Sequence, residues 1–154
     1  SAILGLKIEP GDNVVDLFCG IGNFSLPAAR TGAHVTGIEN EESAIRRAQY
    51  NAKKNGLSGN ATFIKKDLYE PASPIDTIVC DKLLLDPPRL GAEVALRGWV
   101  SQAVSRISYI SCNPQTFARD ANWLQNLGFE CESVRIFDMF PHTSHIELLG
   151  TFQR

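Results

Sequence analysis

The chain has 154 residues, 44% of them hydrophobic, which is the length of one domain with enough apolar material for a single core. Its 15 basic and 17 acidic residues leave a formal charge of −2, which excludes a protein that grips polyanions by a general basic surface, because phosphate contacts need clustered Lys and Arg. No apolar run reaches the ~18 residues of a membrane span, residues 1–7 lack the charged and long apolar stretches of a secretory leader, and Cys19, Cys80, Cys112 and Cys131 contain no C-x-x-C pair of the kind that holds zinc or an iron–sulfur cluster. The expectation is one soluble, cytoplasmic domain over residues 1–154, with free thiols, no metal and no membrane partner.

The apolar run Val14 to Phe18 follows the turn Pro10-Gly11-Asp12 and ends in Cys19-Gly20-Ile21-Gly22-Asn23, which predicts a strand, a glycine loop, then a helix over residues 24–31. A second strand is expected at 34–38, closed by Glu39. Ala44, Ile45, Ala48 and Ala52 have helical spacing and predict a helix over 42–55, ended by Gly56. A third strand is expected at 61–64. Residues 76–85 are rich in Ile, Val and Leu on both faces, as in a central parallel strand covered on two sides.

A helix over 93–104, a fifth strand at 106–110 and a helix over 116–127 capped by Gly128 follow. Two strands, 130–137 and 146–152, close the chain with no helix between them. No internal repeat or low-complexity linker interrupts this order. The pattern specifies an α/β fold: a seven-stranded, mostly parallel, doubly wound Rossmann-like sheet with an antiparallel C-terminal hairpin.

Ligands of such a sheet sit beyond the carboxyl ends of the strands, which places Asp16-x-Phe18-x-Gly20-x-Gly22 at a binding cleft. The same residues also suit a tight strand-to-helix turn. Glu39, at the end of the second strand, is placed to accept hydrogen bonds from both hydroxyls of a ribose. A dinucleotide-binding turn prefers a third glycine at position 25, where this chain has Ser25. Asp67, after the third strand, is placed to accept from an adenine amino group, with Leu68 against the ring. A ribose acceptor, an adenine acceptor and a glycine turn without a pyrophosphate site suit S-adenosylmethionine.

Asp86-Pro87-Pro88-Arg89 follows the central strand, and its prolines hold the Asp86 carboxylate rigidly toward the cleft. Ser111-Cys112-Asn113-Pro114 ends the adjacent strand. A lone Cys is most often a small buried hydrophobe. Carbon 5 of uracil, however, is too weak a nucleophile to be methylated unaided; thiolate addition at carbon 6 activates it, and a separate base must then remove the carbon 5 proton. Glu147 opens an otherwise apolar strand, where partial burial would strengthen it as that base. His142 and His145 beside it read as a hydrogen-bonded turn pair.

Asp16-Leu17-Phe18-Cys19-Gly20-Ile21-Gly22-Asn23-Phe24, Leu85-Asp86-Pro87-Pro88-Arg89, Tyr109-Ile110-Ser111-Cys112-Asn113-Pro114 and Asp138-Met139-Phe140-Pro141-His142-Thr143 with Glu147 resemble, in order, the motifs of the bacterial RNA uridine-5-methyltransferases. The resemblance implies that Asp16, Phe18, Gly20, Gly22, Asn23, Glu39, Asp67 and Asp86 bind S-adenosylmethionine, with Asp86 also near the target uracil. It implies that Cys112 is the covalent nucleophile, Glu147 the general base and Arg89 a residue that holds the RNA. The run from Asp138 looks more like the 23S ribosomal RNA branch than the transfer RNA branch.

It further implies a monomeric enzyme whose RNA-binding module, central domain and cofactor-binding glutamine lie upstream of Ser1, leaving this chain as the catalytic domain or as a cofactor-binding module inert by itself. Two rival chemistries are weaker on the residues. Amino-group methyltransferases with an Asp-Pro-Pro turn place an aromatic residue where Arg89 stands, and cytosine-5 enzymes commonly carry a second Cys beside the prolines, where residues 86–89 have none.

Overall fold

The computed structural model describes residues 2–70, 78–101, 103–138 and 146–154. Along the chain lie α1 (Ala2–Leu6), β1 (Asn13–Leu17), α2 (Ser25–Ala29), β2 (His34–Glu39), α3 (Glu42–Lys54), β3 (Ala61–Lys65), β4 (Lys82–Leu85), α4 (Glu93–Trp99), β5 (Arg106–Ser111), α5 (Pro114–Asn126), β6 (Glu130–Asp138) and β7 (Ile146–Gln153). The strands form one sheet in the order β3-β2-β1-β4-β5-β7-β6. The first five are parallel, and β7 runs antiparallel to both β5 and β6. The expected seven-stranded α/β sheet with its antiparallel hairpin is the one observed.

Side-chain alternation along the central strands divides the core in two. Val15, Leu17, Leu83, Leu85, Ile107, Tyr109, Leu148 and Phe152 pack with residues of α4 and α5. Val14, Val35, Leu84, Ile110 and Leu149 pack on the other face with residues of α1, α2 and α3. Strands covered on both faces bury almost every position, which suits the largely apolar β1 and β4, although β1 buries Asp16 and β5 buries Ser108 and Ser111 among its apolar residues. The exception at the foot of β4 is Lys82, whose ammonium is neutralised by Asp12 at 2.5 Å and donates to the Lys7 carbonyl.

Three elements differ from the sequence-based expectation. The helix expected over 93–104 stops at Trp99, and Val100 is extended. Trp99 and Val104 are both buried in the same cluster. A continuous helix would rotate two positions five residues apart by about 140°, so both reach the core only if the helix breaks, next to the weak helix former Gly98. The strand expected over 76–85 begins only at Lys82; positions 76 and 77 lie outside the described residues. The five-residue α1 is too short to show periodicity in sequence. It is fastened by packing, with the Ser108 hydroxyl donating to the Ala2 carbonyl at 2.8 Å.

Candidate active site at the carboxyl ends of the strands

The glycine loop leaves β1 through an unusual backbone. Phe18 has φ 61°, and Gly20 and Gly22 follow at φ 53° and 90°. The glycines take this left-handed region without penalty, whereas Phe18 occupies it at a cost of about 1–3 kcal/mol. Strain of this kind collects at functional sites. The Phe18 ring packs against Tyr69 with centroids 5.6 Å apart, which joins the loop after β1 to the loop after β3. Asn23 is exposed at the far end of the glycine loop.

Glu39 closes β2 and points its carboxylate at this loop. It accepts from the Gly20 N–H at 3.1 Å, and from Asn40 and Glu41 at 2.8 and 3.1 Å. The carboxylate is thus held by three backbone donors, two on Oε1 and one on Oε2, which leaves a lone pair on Oε2 for a ligand hydroxyl. Phe18, Glu39, Asp67, Leu68, Tyr69 and Pro88 line one cavity of ≈ 230 Å³. Asp67 lines it together with Glu39 and accepts from the Tyr69 N–H at 2.9 Å. Leu68 both lines the cavity and belongs to the core. Two carboxylate acceptors on apolar walls are the donor-seeking, ring-seeking surface that a ribose and an adenine require; of the expected cofactor residues Phe18, Glu39 and Asp67 line this cavity, and Asp16, Gly20, Gly22, Asn23 and Asp86 do not.

Asp16 is buried beneath the loop. Its Oδ2 accepts from the Ser25 hydroxyl at 2.5 Å, and its Oδ1 has no hydrogen-bond partner. Burial pushes its carboxyl up to about 7, and the Asp86 charge adds to the rise while Ser25 opposes it. Ser25, which departs from the dinucleotide pattern in sequence, has this positive use in the fold.

Asp86 follows β4, and its N–H donates to Leu17 on β1 at 3.4 Å. Its side chain is exposed, yet the protein around it removes enough water to raise the carboxyl to about 6, with the Glu147 charge as second cause. Asp16, Asp86 and Glu147 therefore form a chain of carboxyls that feel one another.

Cys112 is exposed and lies in the bend between β5 and α5. The bend is held from both sides. The Ser111 hydroxyl accepts from the Asn113 N–H at 3.1 Å, and Asn113 caps α5 by accepting from Gln115 at 3.0 Å, with Pro114 in the first turn. The Asn113 amide also donates to the Arg89 carbonyl at 3.0 Å, clamping the Pro87-Pro88-Arg89 turn to the Cys112 bend. The Arg89 side chain is exposed.

Ser111 pairs with Leu148 in the antiparallel ladder, so Cys112 and Glu147 are the next residues along the two adjoining strands. Glu147 is half-buried, pairs with Phe137 of β6, and lines an apolar cavity of ≈ 220 Å³ with Phe24, Ile110 and Phe137. His142 and His145 lie outside the described residues, of which no three His, Cys, Asp or Glu side chains are grouped to hold a metal ion.

A family model described as a methyltransferase domain matches residues 8–117. The 23S rRNA (uracil(1939)-C(5))-methyltransferase RlmD of Hahella chejuensis is 43% identical over 159 residues, covering 99% of this chain and 35% of that protein. The RlmD of Photobacterium angustum is 44% identical over 153 residues, covering 98% of this chain and 69% of that protein. The chain belongs to the RNA uracil-C5-methyltransferase family. The crystal structure of the tRNA (uracil-54, C5)-methyltransferase of Pyrococcus abyssi in complex with S-adenosyl-L-homocysteine superposes with a TM-score of 0.79 at 30% identity, over 98% of this chain and 36% of that one. The chain thus spans about a third of the length of that structure and of the Hahella relative.

Within this uracil-C5-methyltransferase domain, sequence reasoning missed three supporting residues. Asn113 carried a recognisable signal, an N-capping residue followed by Pro. Tyr69 carried none. Asp120 carried a faint one, an acid on the apolar face of α5 between Phe117 and Leu124, and in the structure it is buried and bonded to Tyr109 at 2.6 Å.

Proposed function

We propose that these 154 residues are the catalytic domain of an enzyme that methylates carbon 5 of a uridine in 23S ribosomal RNA in the cytoplasm, with S-adenosylmethionine as donor, Cys112 as nucleophile and Glu147 as general base. The observation that carries this reading is the β5–β7 register, which brings the Cys112 bend and Glu147 to neighbouring positions beside Asp86. In this assignment Glu39 and Asp67 hold the ribose and adenine, while Phe18, Gly20, Gly22 and Asn23 shape the loop around the rest of the donor. Asp16 and Asp86 stand toward the methyl end. Bound there, S-adenosylmethionine supplies an electrophilic methyl group.

The protein residues supply the remaining chemistry. The Cys112 thiolate adds to carbon 6 of the uracil, and the electron pair of the 5,6 double bond moves to make carbon 5 nucleophilic. After carbon 5 has gained its methyl group, Glu147 takes the carbon 5 proton. The pair released from that C–H bond restores the double bond and expels the thiolate. Arg89, exposed beside the Cys112 bend, is placed to meet an RNA phosphate.

The test uses RNA carrying 5-fluorouridine, whose carbon 5 keeps its fluorine and stalls the reaction before elimination. With S-adenosylmethionine, a stable protein–RNA adduct is expected, and Cys112→Ala is expected to abolish it; an adduct that persists in Cys112→Ala removes the assignment. Glu147→Gln is expected to accumulate adduct on ordinary uridine. The 43–46% identity to 23S rRNA enzymes favours ribosomal RNA, and the likeness to the Pyrococcus enzyme makes tRNA the comparison substrate. Donor binding without adduct on either RNA would point to a cofactor-binding module that does not act alone.

A further inference from the structure

We propose that Asp120, on the far side of α5 from solvent, is a positioning residue that holds the Asp86–Arg89 turn in register with the Cys112 bend; the proposal rests on the assignment of those two segments as the reacting site. Asp120 is fully buried. One carboxylate oxygen accepts both the Tyr109 hydroxyl at 2.6 Å and the Ala92 N–H at 2.8 Å. The other accepts from Arg119 at 2.8 Å, and Arg119 in turn donates to the Leu90 carbonyl at 3.2 Å. A single buried charge thereby ties three pieces together: β5, which leads into Cys112, α5, which leads out of it, and the segment 90–92 that continues the Asp86-Pro87-Pro88-Arg89 turn.

The closeness of the docking explains the glycine at the turn. A Cβ on Gly91 would stand 2.6 Å from the Arg119 guanidinium and 2.8 Å from the Asp120 carboxylate, so the segment lies against these two side chains with no space for more. The Gly91 carbonyl faces the other way and accepts the Tyr69 hydroxyl at 3.1 Å. Tyr69 lines the cavity between Glu39 and Asp67 and packs on Phe18. Segment 90–92 is therefore bonded to the wall of the donor cavity on one side and to the Asp120 carboxylate on the other. Asp120 touches neither ligand in this arrangement. It acts by fixing the distance between the Asp86 carboxyl and the Cys112 sulfur, on which orientation-dependent catalysis is steep.

The experiment compares Asp120→Ala and Asp120→Asn in the full-length protein. Asp120→Ala removes all the acceptors, while the amide oxygen of Asp120→Asn still serves Tyr109 and Ala92. In Asp120→Ala the kcat for methyl transfer is expected to fall by about tenfold or more, the Kd for S-adenosylmethionine to stay within about threefold, and the Ala92 amide to lose its hydrogen-exchange protection. Asp120→Asn is expected to recover most of the kcat and the protection. Arg119→Ala, at a side chain 45% exposed, serves where Asp120→Ala does not fold, and a severalfold loss of kcat at constant donor affinity is expected. Unchanged kcat in folded Asp120→Ala or Arg119→Ala, or a loss that only tracks the folded fraction, overturns the proposal. Inactivity of the parent protein in the same assay would instead overturn the assignment of the site, and the exchange protection of Ala92 then reads the tether by itself.

Discussion

Asp16→Asn separates the stability of this fold from its function. Asp16 is 1% exposed, bonded only to Ser25, and its carboxyl is raised from 3.8 to about 7. A carboxyl with a raised folded pKa binds its proton more tightly folded than unfolded, so the fold loses stability as pH rises from about 3.8 to about 7. The full loss above that window is about 4 kcal/mol, since each tenfold difference in proton affinity is worth about 1.4 kcal/mol, and about 2.5 kcal/mol of it falls between about pH 5 and about pH 8. The amide carries no charge, so Asp16→Asn removes this slope. It also leaves a buried N–H at the position where Oδ1 has no partner, a cost of about 1–3 kcal/mol at every pH. The variant is therefore expected to be about 1–3 kcal/mol more stable than the parent at about pH 8 and to have lost that advantage by about pH 5. Urea unfolding followed by the fluorescence of buried Trp99 measures both proteins at each pH. Parallel stability curves for the two would refute the reasoning. Tighter folding is expected to come with weaker donor binding, the usual exchange at a site built on an unfavourable buried charge.

Three further outcomes are expected. Thiol alkylation near neutral pH followed by mass spectrometry should mark Cys112 first and leave Cys19 and Cys80 unmodified, because burial pushes the Cys19 thiol out of the ordinary range and the Cys80 thiol up to about 12. Donor binding measured by calorimetry should weaken as pH falls through about 6, where Asp86 takes up its proton, and Glu147→Gln should move that inflection lower because the Glu147 charge is one cause of the raised value; an inflection that does not move separates the two carboxyls. Asn113→Ala removes both the cap of α5 and the bond to the Arg89 carbonyl, so thermal unfolding should register a loss of about 1–2 kcal/mol, with a larger proportional loss of adduct formation.

The sheet was legible because its signals are local and repeated: apolar runs such as Val14-Val15-Asp16-Leu17 beside helical spacing such as Ile45, Ala48 and Ala52 need no tertiary information. The strand ends that carry Glu39, Asp86 and Cys112 followed from the same pattern, since a parallel sheet aligns its carboxyl ends at one edge, and the antiparallel β7 brings Glu147 there by its amino end. What escaped depends on partners distant in sequence. The end of α4 is set by where Trp99 and Val104 bury, and α1 exists because β5 gives it a surface. Tyr69 and Asp120 look like an ordinary loop aromatic and a misplaced helix acid until segment 90–92 is laid between them. Ser25 was visible only as a missing glycine, because nothing in the sequence says that Asp16 lies beneath it.

The place of β7 also governs when the site comes into being. It is the last of these seven strands to be synthesised, yet it lies inside the sheet, between β5 and β6. A nascent chain that has emerged through Cys112 holds the strands around the Glu39–Asp67 cavity and the Cys112 thiol, but β5 is still an open edge and Glu147 has not left the ribosome. β6 emerges next and has no neighbour to pair with until β7 arrives. Vectorial synthesis therefore makes the half with the Glu39–Asp67 cavity first and joins the Cys112 thiol to the Glu147 carboxyl last, so a chain arrested before β7 presents an unpaired strand edge prone to association and, under the proposed assignment, a nucleophile without its base.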